Sequence, residues 1–106
     1  MQTTLIKLGH RISELRQKNG LTQEKLAELV HYSPNHISKL ESARTNPSFD
    51  LLLSIAKELN VSMHELFINN ESYSNTELKE KLYKIIDKMD NKNLELAFKI
   101  IKVINS

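Results

Sequence analysis

Apolar residues recur along this chain at intervals of three and four, the spacing that lays a single stripe along an α-helix. Leu5, Leu8, Ile12 and Leu15 form the first stripe, which ends near Asn19-Gly20, where glycine suits a left-handed stop. Thr22 then offers an N-cap oxygen to a short helix carrying Leu26, Ala27 and Val30. Only His31 and Tyr32 separate it from Ser33-Pro34, where Ser caps and Pro occupies the first helical position, at which its missing N–H costs nothing. The third helix turns Ile37 and Leu40 inward and ends around Ser42, and the polar connector 43–47 leads to a fourth, opened by Ser48 and carrying Leu51, Leu52, Ile55, Ala56 and Leu59. A capping box, Ser62-Met63-His64-Glu65, opens a fifth, short helix that closes on Leu66, Phe67 and Ile68.

Residues 69–75 are almost wholly polar and read as a linker. Ser74 to Glu77 repeats the capping-box pattern, and Leu78, Leu82, Ile85, Ile86 and Met89 form a further stripe. Asp90-Asn91 marks a turn or new N-cap before a last helix from about Lys92 to Ile104. No alternation of the strand type and no repeat of 20 to 50 residues appears. The expectation is an all-α protein: a five-helix unit over 1–68, a linker over 69–75 and a helical region over 76–106.

Two Gly and two Pro in 106 residues fit that helical reading, and the absence of Cys removes disulfides, thiol nucleophiles and Cys-based zinc sites. The start lacks an apolar signal region and no run approaches a membrane span, so the expected setting is a reduced cytoplasm. His10, His31, His36 and His64 have no ligand spacing, and no phosphate loop, nucleophile elbow or metalloprotease motif occurs. Neither metal, cofactor nor enzymatic activity is expected. Net charge is only +2, so any polyanion partner must be met by a local concentration of charge.

Such a concentration exists on the third helix. Two short helices joined by a tight turn, the second opening with small polar side chains, have the sequence form of a helix-turn-helix. With Ile37 and Leu40 inward, Asn35, His36, Ser38, Lys39 and Ser42 face outward, and Lys39, Arg44 and His36 supply donors or positive charge. Glu41 is the only acid between His31 and Asn46. A helix of this kind fits the major groove of B-DNA. Leu21-Thr22-Gln23-Glu24-Lys25-Leu26-Ala27, followed by Ile37-Ser38-Lys39-Leu40-Glu41-Ser42 and Asn46-Pro47-Ser48, resembles the Cro/repressor-type (xenobiotic-response-element) helix-turn-helix regulators of bacteria and phages. The resemblance runs roughly from Leu5 to Phe67.

It implies a five-helix domain that reads double-stranded DNA with its third helix, usually as a symmetric dimer. By position it assigns base contacts to Pro34, Asn35, His36 and Lys39, that of Pro34 being apolar. Backbone contacts fall to Gln23, Ser38, Ser42, Arg44 and Asn46, with Gln23 also bracing the third helix. Arg16 and Glu41 match an ion pair tying helix 1 to helix 3. The chain departs from the family in having His31 and Ala43 where Gly is frequent, at tight turns that tend toward positive φ. Alanine tolerates that region poorly, so the loop after the third helix is expected to differ.

From Leu94 to Ile104 the only polar residues are Glu95, Lys99 and Lys102, so the apolar arc is wider than one antiparallel neighbour covers. The remaining surface calls for the rest of the chain, a second subunit or, as a lesser alternative, a membrane surface. A second subunit is favoured because twofold symmetry matches an inverted-repeat operator. The expected interface comprises Leu78, Leu82, Ile85, Met89, Leu94, Phe98, Ile101 and Ile104. The function expected is a homodimeric transcriptional regulator, most simply a repressor. The alternative is an antitoxin-like or protein-interaction module whose C-terminal helices bind a regulatory protein partner.

Overall fold

Seven helices and no strands make up the described residues, 3–68 and 73–105, of the computed structural model. The first unit contains α1 (Thr3–Lys18), α2 (Gln23–Val30), α3 (Pro34–Glu41), α4 (Phe49–Glu58) and α5 (Met63–Leu66). Its N-caps are the expected hydroxyl residues: Thr22, Ser33 and Ser48 each accept a hydrogen bond from the backbone N–H three residues on, and Ser62 forms a full capping box with Glu65. Each satisfies donors that a helix start leaves unpaired.

The four longer helices end alike. Gly20, His31, Ala43 and Asn60 have φ of 69°, 63°, 61° and 58°. The N–H of the next residue reaches back five positions, Leu21 to Arg16, Tyr32 to Ala27, Arg44 to Lys39 and Val61 to Ala56, at 2.8 to 3.1 Å. These are Schellman closures. Ala43 thus follows the turn that glycine would make, against the expectation that the loop would differ. Two hydrogen bonds, from Ala43 N–H to Leu40 O and Arg44 N–H to Lys39 O, and burial of its methyl group oppose the cost of the left-handed backbone.

The core of this unit is one apolar cluster that includes Ile12, Leu26, Ile37, Leu40, Ile55 and Leu66, all at most 1 % exposed. Helix α3 packs on α1 and α2, α2 on α4, and α5 on α1 and α4. Arg11 Nε donates to Glu65 O at 3.0 Å, fastening α5 to α1. The fifth helix stops at Leu66, short of the expected end at Phe67 and Ile68, which are 43 % and 50 % exposed.

The second unit contains α6 (Asn75–Asp87) and α7 (Asn91–Ile104). Ser74 caps α6 in a capping box with Glu77, and Asp90 caps α7. Helix α6 therefore begins inside the segment 69–75 expected as linker; residues 69–72 of that segment lie outside the described residues. Neither helix fully buries a residue, although Ile86, Ala97 and Ile100 are half-buried. No helix among the described residues is long and apolar enough to cross a membrane.

Candidate nucleic-acid interface

The candidate surface is the outer side of α3 with the turns at its two ends. Ile37 and Leu40, at spacing three, anchor α3 in the core, which leaves Pro34, Asn35, Ser38 and Lys39 exposed and His36 half-buried. At the C-terminal end Ser42, Arg44 and Asn46 are exposed, and the Ser42 hydroxyl donates to Ser38 O at 2.8 Å. All the positions assigned to base or backbone contact except Gln23 thus lie on α3 or immediately after it. Gln23 is half-buried at the start of α2, where its carboxamide nitrogen donates to Glu41 Oε1 at 3.0 Å.

Glu41 is the electrostatic pivot of the surface. Its carboxylate is turned inward, where Oε2 accepts from Arg16 Nε at 2.8 Å and Oε1 accepts from Arg16 Nη2 at 3.1 Å. Arg16 Nη1 donates to Leu21 O at 2.7 Å. One fork-shaped guanidinium thereby joins the end of α1, the turn before α2 and the last residue of α3, and Gln23 adds α2 to the same carboxylate. The single acid between residues 31 and 46 is thus consumed inside the fold, and Lys39 and Arg44 face solvent with no negative side chain between them.

Two features of this site have no part in the sequence-based assignment. The Tyr32 ring lies 4.8 Å from the His36 ring, tilted by 45°. Gly9, buried in the middle of α1, faces the last turn of α3: a Cβ there would stand 2.5 Å from Glu41 O and 2.8 Å from Leu40 O. Glycine inside an amphipathic helix costs about 1 kcal/mol against alanine, and that cost is the signal that marks such a close approach. For Tyr32 the signal is its place between a left-handed stop and an N-cap. The residues expected to form a dimer contact lie in the second unit: Leu78, Leu82, Ile85, Leu94, Phe98, Ile101 and Ile104 are exposed and Met89 is half-buried. Among the described residues no group of three or more His, Cys, Asp or Glu is arranged to hold a metal ion.

Comparison with known proteins matches residues 12–66 to a family model described as helix-turn-helix (HTH_3). The chain is 38 % identical over 68 residues to the HTH-type transcriptional regulator DdrOP3 of Deinococcus deserti, covering 64 % of this chain and 53 % of that protein. It is 34 % identical over 68 residues to the competence pilus inhibition repressor of Acinetobacter baylyi, covering 64 % and 62 %. The chain thus spans between half and two thirds of the length of these relatives. Among solved structures, the restriction-modification controller protein C.AhdI of Aeromonas hydrophila superposes with a TM-score of 0.60 at 35 % identity, covering 62 % of this chain and all of that one.

Proposed function

The chain belongs to the HTH_3 helix-turn-helix family, and on that premise we propose that it is a sequence-specific transcriptional repressor of the cytoplasm, binding an inverted-repeat operator as a homodimer. Helix α3 lies in the major groove. Asn35, His36 and Lys39 read base edges there and Pro34 makes apolar contact, while Gln23, Ser38, Ser42, Arg44 and Asn46 hold the phosphate backbone. The observation that carries this reading is the inward turn of Glu41 onto Arg16, which leaves the outer surface of α3 with donors and cations and no acid. Transcriptional regulation by the relatives agrees with it.

The dimer contact falls to α6 and α7. Helices that fully bury no residue within their own chain gain little from propensity alone and need another surface to cover their apolar stripes. A second copy supplies that surface and also the twofold axis that sets two α3 helices about 34 Å apart, one turn of DNA. The same exposed faces favour a second reading, in which α6 and α7 take a regulatory protein partner in the manner of an antitoxin.

The test is selection from a random duplex pool at near-physiological salt. Enrichment of an inverted repeat with half-site centres about one helical turn apart is expected. A folded protein that enriches nothing overturns the DNA reading and leaves the partner-binding one.

A further inference from the structure

We infer that Tyr32, in the turn between α2 and α3, is a positioning residue for base recognition: its ring holds the His36 imidazole in the orientation in which it meets a base edge. The inference rests on the reading of α3 as the groove-binding helix. Tyr32 is held on both sides. Its own N–H donates to Ala27 O at 2.9 Å in the Schellman closure of α2, and the next residue, Ser33, is the N-cap of α3. Ser33 Oγ in turn accepts from the backbone N–H of His36 at 3.1 Å. With the backbone fixed at both residues, the two rings meet at a centroid distance of 4.8 Å and an angle of 45°, within the range of favourable tilted aromatic pairs.

His36 sits in the first turn of α3, half-buried, while Tyr32 remains 40 % exposed. Tyr32 is thus too exposed to serve as a core anchor, and the ring contact is what its side chain contributes. Docking onto DNA must immobilise the imidazole, whose two ring nitrogens give it one donor and one acceptor when neutral. An imidazole already held against the Tyr32 ring loses less rotamer freedom in that step, a saving of the size paid for each interface side chain that is ordered. The saving applies only where the ring makes an oriented contact, so it acts on sequence preference more than on general attraction to phosphate.

The experiment compares the 106-residue chain with Tyr32→Ala, Tyr32→Phe, His36→Ala and the Tyr32→Ala/His36→Ala double variant. Each is checked for an unchanged thermal unfolding curve and then titrated against the selected operator and single-base-pair variants of it. His36→Ala is expected to flatten preference at one base pair per half-site. Tyr32→Ala should lower preference at that same pair by about threefold to tenfold, and Tyr32→Phe, which keeps the ring, should restore it. In the double variant the loss should equal that of His36→Ala alone. Tyr32→Phe behaving like Tyr32→Ala would assign the effect to the phenol hydroxyl and overturn the proposal. So would additive losses, or a Tyr32→Ala loss that is equal on every duplex. Failure of the wild-type protein to select any operator would instead overturn the DNA reading beneath it.

Discussion

Replacing Gly9 with Ala tests how closely α1 is fitted to the recognition helix. On an isolated helix the change stabilises by about 1 kcal/mol, because alanine has the better helix propensity. Here the new methyl carbon would stand 2.5 Å from Glu41 O, 2.8 Å from Leu40 O and 2.9 Å from the Glu41 carbonyl carbon. All three are backbone atoms in the last turn of α3, so no side chain can swing aside, and the oxygen must retreat to at least 3.4 Å for ordinary contact. That retreat pulls on the Leu40 carbonyl that accepts from Ala43 N–H and on the residue whose carboxylate holds Arg16. Overpacking of this kind costs about 1–3 kcal/mol even where side chains can adjust, so with rigid backbone the upper end applies and exceeds the propensity gain. The expected net destabilisation is about 1–2 kcal/mol, or roughly 5–15 °C in Tm for a domain of this size. Thermal unfolding followed by circular dichroism measures it, with Gly20→Ala as the contrasting variant. Gly20 has no atom within 4 Å of a built Cβ and suffers only from its φ of 69°. A Gly9→Ala protein as stable as the wild type would refute the claim that α1 and α3 meet through backbone.

Three further outcomes are expected. Glu41→Ala strands the Arg16 guanidinium, only 12 % exposed, and should cost about 3–5 kcal/mol; an unchanged unfolding temperature would contradict a buried pairing. Ile101→Asp should convert a dimer into monomers in sedimentation velocity, and a variant that stays dimeric would locate the contact away from α7. Lys39→Ala or Asn35→Ala should relax preference at one base pair by about 1–3 kcal/mol, whereas Arg44→Ala should weaken every duplex alike, and competition titrations with mutated operators separate the two patterns.

What was legible in the sequence is what local chemistry determines. Thr22, Ser33, Ser48, Ser62, Ser74 and Asp90 each cap a helix by reaching a backbone N–H three residues away, an interaction complete within one turn. Helix ends were legible in two ways: Gly20 announces a left-handed stop, and the family resemblance marked the tight turns at His31 and Ala43. Asn60 adopts the same left-handed turn at the end of α4, a region that asparagine tolerates better than most residues. The Arg16–Glu41 pair spans 25 residues and follows no period, so only a family resemblance pointed to it. Gly9 and the share of Gln23 in the Glu41 cluster depend on which surfaces meet across the core, which helical periodicity does not encode. Phe67 and Ile68 show the opposite error, since apolar character alone carried the fifth helix onto them, whereas it ends at Leu66.

The enclosure of Glu41 also separates two responses to ionic strength. Salt weakens protein–DNA association in proportion to the number of cations that neutralise phosphates, and Arg16, committed on three of its nitrogens to Glu41 and Leu21, is not among them. Added ions screen exposed charges over about 8–10 Å but scarcely reach a pair whose side chains are 12 % and 6 % exposed. Raising the salt therefore strips the outer cations of their grip on DNA while leaving the joint among α1, α2 and α3 intact. The protein should come off its operator as a folded domain, ready to rebind on dilution.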